Sequence, residues 1–265
     1  MRLSFFMDVR VDSLVLEGLR HAGWVHGFSP RTFQNARGER EELSFRREGH
    51  EAEGKNHRRW FLQSLGIASE AVALVEQVHG DRVHVLKTSG EPPARTAQIQ
   101  ADAILTHLPE RPIGVLTADC VPIVLYDPRN HVAGVIHAGR KGTARRIFSK
   151  TVNALKTVYG SRPETILAGL GPGIGGCCYE VAEECLPSFR EEYPEWSGFV
   201  QPSRPGHCRL DLFQANVEDG LSAGISRDHL VQAGECTACR PHRWFSYRRE
   251  GPTGRMLSVA MLRRL

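Results

Sequence analysis

Three apolar runs rich in β-branched residues, at 112–117, 121–126 and 131–136, follow one another with only short breaks between them. Each is too short for a helix of ordinary length and fits a strand. Further strands are expected at 71–78 and 82–86, on either side of His79-Gly80-Asp81, and at 165–170, 244–248 and 256–261. Helical spacing appears in Ile147, Thr151, Leu155 and Val158, which predicts a helix over 143–158 with a stop at Gly160. A charged amphipathic helix is expected over 179–192. Strands that are adjacent in some places and separated by helices in others exclude a strict βαβ repeat. They point to an α+β fold, a mixed-sheet α/β sandwich.

The soft segments are few. The polar stretch 37–59 reads as a surface loop and the start of a helix whose apolar face is Trp60, Phe61, Leu65 and Ile67. Residues 89–100, with Pro92 and Pro93, and the Pro-containing stretch 201–206 read as loops. No repeat or linker divides the chain, so a single domain over 1–265 is expected. The net charge of +4 is mild and its basic residues are scattered, which argues against nucleic-acid binding but leaves small anionic substrates open. No apolar run approaches the roughly 18 residues of a membrane span, and the N-terminus lacks a signal peptide's apolar stretch. Seven cysteines, an odd number in a long chain, read as reduced thiols, so a cytoplasmic protein is expected.

Five groups of residues carry possible chemistry. His79, Cys120 and His137 each stand at the end of an apolar run and are borderline-soft metal ligands. A catalytic zinc takes three such protein ligands and keeps a fourth position open. With twelve histidines in the chain many such triplets exist, and spacing alone favours a buried core thiol and two histidines satisfied as polar residues near loops, without settling the matter. The phrase His137-Ala138-Gly139-Arg140-Lys141-Gly142 lies between a strand and a helix, where free amides and the two cations suit a phosphate; an ordinary turn reads equally well. Gly171, Gly173 and Gly176 match G-x-G-x-x-G, but Pro172 and the missing acidic residue on a second strand argue against a dinucleotide site and for a tight loop beside a pocket. Cys236 and Cys239 form a C-x-x-C pair without a second such pair, Cys208 being the nearest other thiol in sequence; they read as a loop with two thiols. Finally, aromatic and guanidinium groups in 245–255 suit a flat base and an anion, or an edge strand and turn.

Taken in order, QVHG (77–80), TADCVPI (117–123), HAGRKG (137–142), GPGIGGCCYEV (171–181), CT (236–237) and FSYRREGPTGR (245–255) resemble one family, the YfiH or laccase-domain proteins, also termed polyphenol-oxidoreductase-like. HGFSPR (26–31) looks like the family's N-terminal HGFSTR phrase, so the resemblance runs from about His26 to the C-terminus. It implies a single-domain α+β sandwich of the YfiH type with one transition metal, usually zinc and copper in older descriptions. The metal would be held by His79, Cys120 and His137. It also implies phosphorolysis of purine nucleosides, among them adenosine, inosine, guanosine and methylthioadenosine, with adenosine deaminase activity alongside. Copper-dependent polyphenol oxidation and peptidoglycan-precursor editing are further roles linked to the family. Where the family reads HAGWRG, this chain has Arg140 and Lys141. Lysine keeps the charge without the planar fork, and Arg140 restores a guanidinium if the loop presents it inward. The N-terminal Asn-Arg phrase is altered to Asn56-His57-Arg58.

The reading that follows is metal-assisted phosphorolysis or deamination of a purine nucleoside. His79, Cys120 and His137 hold the metal, Asp119 serves as proton carrier or orienter, and Arg31, Arg140, Lys141 and Arg248 are candidates for the phosphate or substrate. Three rivals stand beside it. One is a Cys–His hydrolase with Cys120 as nucleophile and His137 as base. Another is a copper oxidase, for which one His/Cys/His set supplies too few ligands. The last is a partner-binding protein that keeps the metal only for its fold.

Overall fold

A strand that is apolar along most of its length must be covered on both faces, and the central hairpin of this protein is such a pair. In the computed structural model, which describes residues 9–45, 51–69, 71–88 and 90–265, Val121–Asp127 and Val132–Ala138 pair antiparallel and all their residues are buried. They lie at the middle of a six-stranded mixed sheet. Its order is Leu230–Gln232, Leu167–Leu170, Val121–Asp127, Val132–Ala138, Ala103–Thr106, Val83–Leu86. The two outermost pairings are parallel and the inner three antiparallel.

Side chains alternate across this sheet. Ile123 and Leu125 join a core with Phe148, Val152 and Leu155 of the helix Ile147–Tyr159 and with Leu212 and Ala215 of the helix Leu212–Ser222. Val124 and Tyr126 face the other way, onto Ile113, Val115, Ala260 and Leu262. Those residues belong to a second, antiparallel sheet of Trp24–Phe28, Met256–Leu262 and Ile113–Thr117. The far side of that sheet, through Leu257, Val259 and Met261, packs on Phe61 and Leu62 of the helix Glu51–Ser64. The layers are therefore helix, sheet, sheet, helix, which is the mixed α/β sandwich that the sequence implies. Each fully buried Ile, Leu or Phe in these cores contributes roughly 1.5–3 kcal/mol relative to an exposed position.

Several local expectations change. The segment 71–78 is not a strand: it makes single bridges at Ala73 and Glu76, and the Gln77 side-chain amide bonds both the N–H and the C=O of Leu116 at 2.8 Å, taking the place of a ladder. The expected helix 179–192 is a strand, Glu180–Ala182, pairing with His207–Leu210, then a 3-10 turn and the short helix Pro187–Glu192. Pro187 lacks the N–H that a continuous helix requires. Residues 244–248 are not a strand either, because Ser246 caps the short helix Tyr247–Glu250. Within the polar stretch 37–59, Arg40–Glu42 pairs with Thr32–Gln34, while residues 46–50 lie outside the described residues, as does Ser89 of the loop 89–100. Gly171 lies against Phe28, whose Cε1 would be 2.1 Å from an added Cβ, so the glycine serves packing.

The expected helix over 143–158 divides into Arg140–Ala144 and Ile147–Tyr159, the second ending at Gly160 in the left-handed region as expected. The break falls at Arg146, with φ of 59°, and a distant carboxylate causes it. Asp219, fully buried in the helix Leu212–Ser222, accepts from Arg146 Nε at 2.9 Å, from the amide of Ser149 at 3.1 Å and from the Ser149 hydroxyl. It thus caps a neighbouring helix. Replacing Asp219 by Ala leaves those donors unpaired. We expect a loss of roughly 3 kcal/mol, the low end for a broken buried pair because Arg146 keeps some exposure. A lower urea midpoint at unchanged slope would register it; an unchanged midpoint would refute the capping role.

Candidate metal centre

The register of the central hairpin sets Pro122 opposite His137, so Cys120, just before Val121, lies at the same sheet end as His137. The next strand over, Ala103–Thr106, pairs Ala103 with Ile136, which brings Asp102 beside His137. His79 comes from the tight loop before Val83–Leu86. The ligand atoms of His79, Cys120 and His137 all lie within 4.8 Å of one another. The two imidazoles meet nearly at right angles, 4.8 Å between centroids and 78° between planes.

Asp102 holds this arrangement. Its carboxylate accepts from the backbone amides of Val78 (3.3 Å), His79 (3.0 Å) and Gly80 (2.6 Å), and pairs with His137 Nδ1 at 2.7 Å. The peptide wraps around one side chain, and His79 takes the left-handed region with φ of 57°. Burial opposes ionisation of Asp102, but the His137 bond and the Gly80 amide hold its carboxyl below the usual range. With Nδ1 occupied by the carboxylate, His137 turns Nε2 to the centre, an outer partner that fixes ring orientation and raises basicity. Burial likewise opposes the Cys120 thiolate, yet His137 and then His79 outweigh it and bring the thiol down to about 6.

The donor set of one thiolate and two imidazoles suits a borderline-soft transition metal such as zinc or copper. The space at its focus is kept clear by Gly139, where a Cβ would stand 3.0 Å from Cys120 Sγ and 3.1 Å from His79 Cδ2. His137 is buried, Cys120 half-buried and His79 exposed, so the centre opens to solvent on the His79 side. That is the form of a site with three protein ligands and one position for water or substrate.

Asp119, next to Cys120, has φ of 94° and both carboxylate oxygens engaged: Thr237 Oγ1 donates at 2.6 Å and the Arg248 amide at 2.6 Å. It fastens the 245–255 phrase to the Cys120 loop, which fits the orienting role. Arg248 lies over the Tyr179 ring at 4.9 Å and gives one N–H to the Glu180 carbonyl. Burial pushes the Tyr179 phenol up, against the charges of Arg140 and Arg248, and the Cys120 thiolate adds to the rise. The Tyr179 phenol therefore feels the charges of both arginines and of the Cys120 thiolate. Of the two cations in HAGRKG, Arg140 is half-buried and its charge acts on the Tyr179 phenol, whereas Lys141 is exposed. Arg31 is taken up elsewhere: its guanidinium pairs with Glu42 and Glu250 at 2.8 Å and lies over Phe245, which neutralises it as an anion site.

Sequence reasoning missed Asp102 and Tyr179. An acid directly before the apolar run 103–106 was the available signal for the first, and a tyrosine ending the glycine-rich phrase for the second. It also missed the company of the C-x-x-C pair, since Cys177 and Cys178, not Cys208, lie beside Cys236 and Cys239.

Asp102→Asn keeps the volume but turns an amide N–H₂ toward donors that need an acceptor. We expect zinc affinity at the triad to fall about 10–100-fold, read by competition with a chromophoric chelator, the affected equivalent being identified by its absence in His79→Ala. Unchanged affinity would remove Asp102 from this role.

A family model described as "Multi-copper polyphenol oxidoreductase laccase" matches residues 18–263. A purine nucleoside phosphorylase of Xylella fastidiosa strain Temecula1 is 34% identical over 208 residues, 78% of each chain. The protein named adenosine deaminase RL5, from an unknown prokaryotic organism, is 32% identical over 192 residues, 71% of this chain and 73% of its own. The crystal structure of Bacillus licheniformis hypothetical protein YfiH superimposes with a TM-score of 0.82 at 29% identity, covering 91% of this chain and 93% of that one. The architecture, the phrases around His79, Cys120 and His137, and these matches have one reading: the chain belongs to the multi-copper polyphenol oxidoreductase laccase family, the YfiH proteins.

Proposed function

We propose that the protein is a zinc-dependent purine nucleoside phosphorylase acting on adenosine, inosine, guanosine and methylthioadenosine, with adenosine deaminase activity alongside, the chain forming one catalytic domain. The observation that carries this is the convergence of His79, Cys120 and His137 beside Tyr179, Arg140 and Arg248. The names borne by the relatives, purine nucleoside phosphorylase and adenosine deaminase, support both activities. All seven cysteines are free, which fits the reduced cytoplasm. Among the described residues no helix is long and apolar enough to cross a membrane.

Zinc at the triad supplies Lewis acidity toward an oxygen of the substrate or of water. The chain's own groups do the rest. Arg140 and Arg248 hold the phosphate, and among the described residues the Arg248 side chain gives one N–H to protein. Tyr179, backed by the Arg248 guanidinium, offers a ring face to the purine. Asp119 fixes the Arg248 backbone, and Asp102 keeps His137 turned to the centre. Copper oxidation of phenols demands a multinuclear cluster that this triad does not supply.

A second reading rests on one further observation. Cys120, His137 and Asp102 line up as nucleophile, base and orienter, the sequence of contacts that a cysteine hydrolase uses. It requires the thiolate free of metal, so activity that survives chelation and dies on alkylation of Cys120 would favour it.

The test is product analysis with purified holoprotein. Adenosine is expected to give adenine only when phosphate is present, with inosine appearing in its absence from the deaminase reaction. His79→Ala should lose one metal equivalent and both products. Arg140→Gln should raise the KM for phosphate roughly tenfold, the loss of one charge-assisted contact, with little change for the nucleoside. Holoprotein that turns over no nucleoside under either condition would overturn the proposal.

A further inference from the structure

We propose that Cys177, Cys178, Cys236 and Cys239 form a second metal site, a closed tetrathiolate centre for Zn²⁺, separate from the His79/Cys120/His137 triad. It stands independently of the nucleoside reading. The four sulfurs all lie within 4.8 Å of one another, with Cys178–Cys239 at 3.4 Å and Cys177–Cys239 at 3.6 Å. Four sulfurs about 2.3 Å from one tetrahedral zinc stand about 3.8 Å apart. A disulfide would bring a pair to about 2.0 Å. The observed separations match sulfurs sharing an ion, and all four cysteines are free.

Two loops far apart in sequence deliver these thiols, and the backbone fixes both. The glycine-rich loop is joined to the C-x-x-C segment by Gly173 N–H to Glu235 O at 3.2 Å and Thr237 N–H to Gly173 O at 2.9 Å. Within that loop, the amides of Cys178 and Tyr179 both donate to the Gly175 carbonyl, at 2.9 and 3.0 Å, which turns the adjacent cysteines toward the pair. The Gly175 amide donates to Cys236 Sγ at 3.3 Å, the kind of bond that steadies a thiolate. Arg249 donates to the carbonyls of Thr237 and Ala238, at 3.0 and 2.8 Å, so the two residues between Cys236 and Cys239 are clamped by a cation. That positive charge partly offsets the net negative charge of a zinc tetrathiolate. Soft thiolates in tetrahedral array select zinc over harder cations, and four protein ligands leave no position for substrate. Binding forms four Zn–S bonds, and the thiol protons pass to solvent.

The site is structural, and it bears on the first. Thr237 lies inside the C-x-x-C loop, and its hydroxyl holds Asp119, the neighbour of Cys120. The ion would fasten the glycine-rich loop and the C-x-x-C loop together behind the triad, touching no reacting atom.

The experiment is metal analysis of the full chain purified with zinc under reducing conditions. About two zinc ions per chain are expected, one for each four-coordinate site. His79→Ala and the double variant Cys236→Ser/Cys239→Ser should each lose one. Cobalt loaded into His79→Ala protein should show the sulfur charge-transfer and tetrahedral ligand-field bands of a thiolate site. Should the double variant fail to fold, the wild-type protein gives the answer: these four thiols should resist alkylation until a chelator removes metal, as resolved by peptide mass analysis. Wild-type zinc content in the double variant, ready alkylation of the four thiols without release of metal, or a disulfide among them in the reduced-purified protein would each overturn the proposal.

Discussion

The carboxylate of Asp102 is the constraint on which the candidate metal centre depends. It is fully buried, and an uncompensated charge there would cost several kcal/mol. Its compensation comes from three consecutive amides and one imidazole, and those four donors are what the site needs to be ordered. Satisfying the charge forces the peptide at 78–80 to coil around it, which presents His79. The same charge orients His137, whose main-chain N–H also bonds the Asp102 carbonyl at 2.7 Å. Ligand position and solvation of one buried ion are thus a single requirement.

Asp119 repeats the device on the other side of Cys120. A positive φ, two short hydrogen bonds to its carboxylate and a bond from the Ile174 amide to its carbonyl at 2.7 Å tie the Cys120 loop to three segments of the chain. His137 sits within the buried strand Val132–Ala138, while the loops that carry His79 and Cys120 are held by the buried carboxylates of Asp102 and Asp119. Loops anchored in this way can hold a coordination geometry, because the hairpin behind them has no room to move. The central strands exchange side chains with two cores at once, so any shift of Val121–Asp127 would open a cavity in one and overpack the other.

What was legible in the sequence follows from range. The runs at 112–117, 121–126 and 131–136 declared themselves because burial on both faces leaves an uninterrupted apolar signature, and the structure moves their ends by only a residue or two. The three candidate metal ligands were legible as ends of such runs, and decisively so only through the ordered family phrases. The misses are contacts between distant residues. Gln77 replaces a strand ladder through its side chain, Asp219 breaks a helix dozens of residues away, and Glu180–Ala182 becomes a strand because His207–Leu210 lies beside it. The nearest thiol in sequence to the C-x-x-C pair, Cys208, is carried off by that strand pairing, opposite Val181, while the loop before the strand brings Cys177 and Cys178 to the pair.

The departure at HAGRKG acquires a physical meaning from the same geometry. Lys141 points its charge to solvent, so the lysine at the family's arginine position is a weak substitute for a bidentate anion clamp. Arg140, half-buried and with its charge acting on the Tyr179 phenol as that of Arg248 does, stands where the family phrase has an indole. A guanidinium is planar and can lie on an aromatic face as an indole does, while adding forked donors and a charge that an indole lacks. On the proposed reading, the anion-binding function moves by one residue toward the interior. The cation arrives where burial strengthens its field on an anion and where Arg248 already lies against Tyr179. That is a reason for a phosphate, and not the ring of the nucleoside alone, to complete this site.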